Sequence, residues 1–228
     1  MDIHFIQMHI LRELLYKSKL KFKDLNIVDL GSNHLAYHVN GLQKMGLVQR
    51  AGTSYELTAK GKEFANQMDT DTAKIEKQPK VSVLIIPTQK FGRTKKFLIQ
   101  TRLKEPYYGF SGFMTGKMRF GETVFEAASR EFQEEMGLAA DFLYGYLLHE
   151  MVYDKSGNLL EDKFFHVMVA LNISGELLEE TKDGRNQWVT ESRFRKLKPL
   201  YHNELDILDW YLAGNKEFKE FKYFIDNF

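Results

Sequence analysis

The chain has 228 residues, which is enough for one large or two small domains, and we predict two. Its 43% hydrophobic, 14% aromatic and 28% charged residues suit a folded core and exclude an intrinsically disordered protein. The formal net charge of +1 excludes broad electrostatic attraction to nucleic acid or membrane, and the absence of cysteine excludes disulfides and thiolate metal sites, so any metal must bind to oxygen or imidazole.

The N-terminal segment, MDIHFIQMHILRELL, has acidic and polar groups where a secretory signal would have a basic start and an unbroken apolar run. The longest strongly apolar run, VSVLIIP, is far too short to cross a bilayer. We therefore expect a soluble, cytoplasmic protein with no membrane partner.

The N-terminal part of the chain has the pattern of a helix, a short helix, a second long helix, a hairpin and a last helix. Ser32 is the predicted N-cap of the second long helix, and Gly46 is its predicted C-terminal stop. Gly52 lies at the hairpin turn, and Thr58 is placed to cap the last helix. With the segments HLAYHVNGLQKMGLVQR and YELTAKGKEF, this order resembles the winged helix-turn-helix domain of bacterial regulators, which we predict for residues 1–72.

In the helix that the resemblance makes the recognition helix, several polar or amphipathic side chains could contact the phosphates or base edges of double-stranded DNA. These are Asn33, His34, Tyr37, His38, Asn40 and Lys44. A solvated helix face is the alternative. Residues 1–72 contain nine Lys or Arg and eight Asp or Glu, a net charge of +1 that is low for a DNA-binding domain. Since winged helices also serve as dimerisation modules, a homodimer is the competing prediction for this domain.

After Met68, the polar stretch DTDTAKIEKQPK lacks apolar periodicity and is the predicted linker. Beyond it, VSVLIIP and KKFLIQTRL are predicted strands, and YGYLLHEMVYD and EDKFFHVMVALNI flank a KSGN hairpin turn. A strand at NQWV and a helix at HNELDILDWYLAGN follow, before a charged aromatic tail. This order predicts an α+β or α/β sandwich with a mixed sheet for residues 81–228.

A helix over residues 124–136 is predicted between two local signals. Thr123 and Glu126 have the spacing of a capping box, and Gly137 is a natural C-terminal stop. Three apolar residues cluster on one arc of this helix and are expected to face the core: Phe125, Phe132 and Met136.

Three glutamates, Glu131, Glu134 and Glu135, lie within about a 100° arc of the same helix. A salt-bridged solvent face would need Lys or Arg four residues after each one, and none is there. Like charges at this spacing cost about 0.2 to 0.5 kcal/mol per pair, and acids near a helix C-terminus oppose its dipole. The pattern therefore predicts a bound cation, and carboxylate oxygens suit Mg²⁺ or Mn²⁺ with positions left for phosphate oxygens.

The segment GKMRFGETVFEAASREFQEEMGL, residues 116–138, resembles the Nudix box GX5EX7REUXEEXGU at every specified position, where U is an apolar residue. The resemblance extends over residues 81 to about 215. It implies a Nudix-type α/β/α sandwich and divalent-metal-dependent hydrolysis of a nucleoside diphosphate linked to another group.

The resemblance also implies residue roles. Metal ligands would be the side chains of Glu131, Glu134 and Glu135 with the carbonyl of Gly116. Arg130 would hold an acid of the box in position, and Glu122 would lie near the ligands or assist catalysis. Arg102 and Lys117 are candidate phosphate contacts, with ordinary surface cations as the alternative. The general base stays unassigned.

From these patterns we predict a metal-dependent Nudix pyrophosphohydrolase with a nucleotide-type substrate and an N-terminal domain that couples it to DNA. The alternative is a transcriptional regulator whose Nudix-like domain binds a nucleotide effector without catalysis. The intact set of three carboxylates favours the enzyme. A third hypothesis gives the N-terminal domain only a role in dimerisation.

Overall fold

The computed structural model describes residues 3–26 and 29–226. Within the chain, contacts divide into two compact units, Met1–Gln78 and Pro79–Phe228. No helix in the described residues is long and apolar enough to span a bilayer.

The first unit packs three α-helices around a small sheet. In chain order its elements are α1 (Phe5–Tyr16), β1 (Leu20–Lys21), a 3-10 helix (Phe22–Leu25), α2 (Ser32–Lys44), β2 (Val48–Ala51), β3 (Ser54–Leu57), α3 (Ala59–Ala65), β4 (Met68–Asp69) and β5 (Lys74–Ile75). Strands β1, β3 and β2 form an antiparallel sheet in that order. Apolar residues from all three helices and the sheet bury one core, which includes Ile10, Leu11, Leu35, Leu42, Leu57 and Ala65.

The helix boundaries of this unit follow local signals, with one correction. Thr58 caps α3 as predicted, because its hydroxyl accepts the Gly61 N–H at 2.9 Å. Gly46 has a φ of +71° just after α2, which confirms it as the stop. Ser32, however, is the first residue of α2 and not its N-cap, since the Gly31 carbonyl already accepts the first helical hydrogen bonds.

The predicted linker after Met68 is also wrong, because its first part is folded. Strands β4 and β5 pair antiparallel, and Met68 and Ala73 are buried in the core of the first unit. The Asp69 carboxylate accepts the backbone N–H groups of Asp71 and Thr72 at 2.9 and 2.8 Å and fixes the turn. Two-residue strands are too short to produce a periodic sequence pattern.

The second unit is built on one large mixed sheet. Its elements are β6 (Lys80–Phe91), β7 (Thr94–Arg102), β8 (Ser111–Gly112), β9 (Met114–Lys117), α4 (Val124–Met136), β10 (Leu138–Asp154), β11 (Leu159–Gly175), β12 (Gly184–Thr190), α5 (Glu191–Phe194), α6 (Glu204–Leu212) and β13 (Lys219–Ile225). The strand order is β12-β7-β6-β11-β10-β13, with β8 paired to β7 and β9 to β6. The β11–β6 and β10–β13 pairs are parallel and the others antiparallel, which confirms the predicted α+β class with a mixed sheet.

Successive side chains of β6 point to opposite faces of the sheet and pack into two different core clusters. Val83 and Ile85 pack in one cluster with Phe132 of α4, whereas Leu84 and Ile86 pack in another cluster that includes α5 and α6. The sheet therefore lies between helices, and Met114 of β9 packs on the face that α4 covers. The predicted charged tail is an additional strand, β13, at the edge of this sheet.

Candidate active site

Helix α4 begins and ends where the sequence predicts. The Thr123 hydroxyl accepts the Glu126 N–H at 3.3 Å, and the Glu126 carboxylate accepts the Thr123 N–H at 2.8 Å, which completes the capping box. Gly137 closes the helix with a φ of +72°. One prediction on this helix is wrong: Phe132 is fully buried, but Phe125 is 51% exposed. The buried positions near the start of the helix are taken instead by two small residues, Ala127 and Ala128.

Arg130 joins the helix to the preceding loop. Its guanidinium donates to both oxygens of Glu122 at 2.5 and 2.8 Å, to Glu131 at 2.7 Å, to Glu134 at 3.3 Å and to the Lys117 carbonyl at 3.0 Å. The hydrogen bonds from Arg130 lower the pKa of Glu122 to about 2. The same contacts, led by Glu122, raise the pKa of Arg130. Glu122 therefore positions Arg130, and Arg130 in turn orients Glu131.

A second cation, Arg119, was missed by the sequence analysis. Its Nη2 atom lies 3.2 and 3.3 Å from the two carboxylate oxygens of Glu134. The helix-spacing argument, which found no cation for the acids, is therefore wrong for Glu131 and Glu134, although the Arg130–Glu131 contact agrees with the role that the Nudix resemblance implies for Arg130. The reason is geometric, because Arg119 comes from the loop before α4, and Arg130 precedes its partners in the chain.

Glu135 differs from the other two acids. Its carboxylate accepts the Gln100 side-chain N–H at 3.1 Å and, among the described residues, has no Lys or Arg nitrogen within 4.0 Å. Burial raises its pKa. The backbone beside it is also held, since the Asn186 side chain donates to the Glu135 carbonyl at 2.8 Å.

Gly116 is required by the position of Glu131. A Cβ atom at residue 116 would overlap the Cγ and Cδ of Glu131 and lie 2.7 Å from its Oε2. The Glu131 side chain therefore lies directly against the backbone of β9, where only glycine leaves it room. The box glycine and the first box glutamate of the helix form one packed unit.

A cavity of about 470 Å³ opens beside these residues. Glu131, Glu134, Glu135 and Gly116 line one part of it, together with several cations: Arg102, Lys104, Lys117 and Lys182. Lys117 has an exposed side chain at the lining.

Arg102 reaches the cavity, but its guanidinium is already engaged. It donates to the carbonyl groups of Lys104 at 2.8 Å, Pro106 at 2.6 Å and Glu105 at 3.3 Å. Its structural role is therefore to hold the loop after β7.

Polar residues that the sequence analysis did not single out line the remaining part of the cavity: Tyr107, Glu150, Glu161, Tyr201, His202, Asn203 and Glu204. Burial raises the pKa of Glu204 to about 8 and the pKa of Glu150 to about 7. Asn203 donates to Glu150, and the Phe113 N–H donates to Glu204 at 2.9 Å. Glu150 could have been recognised from the sequence as a buried acid, because it occupies an inward position of β10 between two buried apolar residues, Leu148 and Val152.

The donor set fits a hard divalent cation, since carboxylate oxygens and the backbone at Gly116 meet at the cavity. Among the described residues, no three His, Asp or Glu side chains already have a metal-binding arrangement. Glu134 is turned toward Arg119 and Arg130, so coordination of an ion by Glu134 would require its carboxylate to leave these cations. The Glu134 side chain is 50% exposed, so it is free to turn away from them.

The predicted DNA contacts lie in α2 of the first unit. Five of them are exposed: Asn33, His34, Tyr37, Asn40 and Lys44. His38 is a correction, because its side chain is only 2% exposed and packs 4.7 Å from the ring of His4. Its Nε2 atom lies 3.1 Å from Nε2 of His34. Burial and these two histidines lower the pKa of His38, and because the side chain is buried it cannot contact a duplex from this position.

Comparison with solved structures shows the same fold around this site. The mutator MutT protein from Bacillus halodurans is 20% identical and superposes with a TM-score of 0.53, over 63% of this chain and 90% of that chain. The NUDIX domain of Shewanella oneidensis NrtR complexed with ADP ribose is 14% identical, with a TM-score of 0.54, over 69% of this chain and 98% of that chain. At these identities the similarity shows the fold alone.

The comparison with curated proteins gave no significant match. The family model for the NUDIX domain matches residues 77–211, which is more than half of the chain and includes the capped helix, its loop and the cavity. The chain belongs to the Nudix family.

Proposed function

We propose that this protein is a metal-dependent hydrolase that cleaves the diphosphate linkage of a nucleoside diphosphate derivative, such as a nucleotide or a nucleotide sugar. One observation carries the proposal. Glu131, Glu134 and Glu135 line the same cavity as several lysines, so a single space offers anionic ligands for a metal and cationic contacts for phosphate.

Different residues of the site would bind the metal and position its ligands. Glu131, Glu134, Glu135 and the Gly116 carbonyl would hold Mg²⁺ or Mn²⁺, which supplies charge neutralisation of the diphosphate and a nucleophilic water when bound. Arg130 would keep Glu131 in place, as its 2.7 Å contact supports.

Phosphate contacts would come from the lysines at the cavity, and Lys117 stays the first candidate because its side chain is exposed at the lining. Arg102 stays a weaker candidate, since three loop carbonyls already occupy its guanidinium. Any phosphate contact by Arg102 would have to add to these hydrogen bonds.

The direct test is a substrate panel assayed with Mg²⁺, with Mn²⁺ and with a chelator. The panel should contain nucleoside triphosphates, dinucleoside polyphosphates and nucleotide sugars. It should also contain ADP-ribose, the ligand of the NrtR domain that shares this fold. We expect product from at least one class, and only with metal. Binding of a panel member without product would favour the alternative function, a regulator whose Nudix domain binds an effector.

Replacing Gly116 by alanine should lower kcat by about 10- to 100-fold, because the new Cβ must displace the Glu131 side chain. Steady-state kinetics on the best panel substrate measures the effect. Gly31→Ala is the matched control, since a Cβ at that position meets nothing within 4 Å. Wild-type kinetics in a folded Gly116→Ala protein would mean that Glu131 need not occupy its observed position.

We also propose that the first unit, predicted as residues 1–72 and extending to Gln78 in the structure, is a winged helix domain that binds double-stranded DNA, with the Nudix domain over residues 81–228. Three features support it: the helix order, the hairpin β2–β3, and a helix α2 that exposes polar side chains. Homodimerisation through this unit is the competing proposal.

Lys44→Ala should weaken duplex binding by about threefold to tenfold and lower the slope of log K against log salt by about 1, because one phosphate contact is lost. A salt titration by mobility shift measures both quantities. Lys17→Ala removes an exposed lysine outside α2 and should change neither. If the wild-type protein binds no duplex at low salt but sediments as a dimer, the homodimer proposal replaces DNA binding.

A further inference from the structure

The two arginines at Glu134 have different surroundings. Arg130 is only 15% exposed and also contacts Glu122, Glu131 and the Lys117 carbonyl. The Arg119 side chain is 61% exposed, and in the described part of the chain its guanidinium contacts Glu134 alone. Arg130 therefore has a fixed structural role, whereas Arg119 can leave its partner at little cost.

The backbone keeps Arg119 at the edge of the site while its side chain stays free. The Arg119 N–H donates to Glu122 at 2.8 Å, and Glu122 is itself held by Arg130. Position 119 falls between the specified Gly116 and Glu122 of the Nudix box, so the family pattern does not prescribe an arginine there. The role of this residue must be inferred from this chain.

We propose that Arg119 is a displaceable counter-ion: it neutralises Glu134 in the free protein, and when metal binds it moves to the diphosphate of the substrate. The inference rests on the proposed metal-dependent function. A divalent cation and the Arg119 guanidinium would compete for the same two carboxylate oxygens of Glu134. Two cations held at such a short distance also repel each other. A guanidinium released beside the cavity is well suited to phosphate, because it donates two parallel hydrogen bonds to phosphate oxygens.

This mechanism predicts effects of opposite sign on two equilibria. Loss of Arg119 removes a competitor for Glu134, so metal should bind more tightly. The same change removes a phosphate contact, so substrate should bind more weakly. A residue that only supported the loop would weaken both, and an ordinary surface cation would change neither.

The test compares Arg119→Ala with the wild-type protein in two assays. Titration of Mn²⁺ without substrate, followed by electron paramagnetic resonance, should give a Kd about twofold to fivefold lower, in the range expected for loss of an exposed ion pair. Steady-state kinetics at saturating Mn²⁺ should give a KM about threefold to tenfold higher with kcat changed less than twofold. Arg119→Lys keeps the charge, so its Mn²⁺ Kd should lie between the other two.

Arg185→Ala is a matched control. Arg185 is 62% exposed and pairs at 2.8 Å with Glu180, which is 56% exposed, so the pair resembles Arg119–Glu134, but Glu180, unlike Glu134, does not line the cavity. The Arg185→Ala substitution should leave both the Kd for Mn²⁺ and the KM for substrate unchanged.

Any result in which Arg119→Ala fails to tighten Mn²⁺ binding, or fails to raise KM, overturns the inference while the proposed function stands. If the wild-type protein itself neither binds Mn²⁺ nor hydrolyses any panel member, the proposed function fails and the inference fails with it. A thermal unfolding curve for each variant shows whether that variant is folded under the assay conditions.

Discussion

Glu134→Gln should lower kcat by roughly 1,000-fold with little change in stability. Glutamine keeps the shape of the side chain but removes the negative charge that a divalent cation requires. The side chain is 50% exposed, and its ion pairs with Arg119 and Arg130 are screened by solvent, so the fold does not depend on them. Kinetics on the best panel substrate and a thermal melt give the two readouts.

Glu126→Gln is the matched control on the same helix. Residue 126 is the third residue of the helix, where glutamine satisfies the same backbone N–H of the capping box, so neither activity nor stability should change much. If Glu134→Gln retained more than about a tenth of wild-type kcat, Glu134 would not be a metal ligand in the reaction.

Glu204→Gln should stabilise the protein at pH 8 by roughly 4 to 5 kcal/mol and near pH 4.5 by less than about 1 kcal/mol. Glu204 is 2% exposed, and its burial raises the pKa of the carboxyl to about 8, far above the value of about 4.3 expected in the unfolded chain. Between these two pKa values the folded state binds more protons than the unfolded state. Wild-type stability must therefore fall as the pH rises through this window.

Glutamine removes that proton linkage and keeps an oxygen to accept the Phe113 N–H. The free energy of unfolding of both proteins, measured by urea denaturation from pH 4.5 to 8.5, tests the difference. Glu217→Gln changes an exposed acid and should give a curve parallel to wild type. If the free energy of unfolding of Glu204→Gln varied with pH in parallel with that of wild type, the Glu204 carboxyl would titrate normally in the folded protein.

The helix that carries the acids was predictable because its signals are local. Thr123, Glu126 and Gly137 act within one turn of the helix ends, and the structure places the boundaries where they predict. Whether the Phe125 side chain is buried or exposed could not be predicted from such local signals. A helical projection gives its arc but not whether neighbouring strands cover that part of the helix, and Phe125 is exposed.

Arg130 contacts Glu134 as an i,i+4 pair in which the cation comes first, but another contact of the acids comes from outside the helix. Arg119 reaches Glu134 from the preceding loop, and no spacing rule along a helix includes such a partner. The same limit explains the missed part of the cavity. Glu150 in β10 and Glu204 at the start of α6 line one cavity although they are far apart in the chain, so only the sheet topology brings them together.

Anomalous diffraction from crystals soaked in Mn²⁺ and a non-hydrolysable nucleoside diphosphate analogue would locate the ion relative to the three glutamates. We predict anomalous density about 2.1 Å from carboxylate oxygens of Glu131 and Glu135, with Glu134 turned from Arg119 to the ion and the diphosphate beside it. Density for the analogue with no ion on this helix surface, and Glu134 still paired with Arg119 and Arg130 at saturating Mn²⁺, would show that the three glutamates do not bind a metal for the reaction.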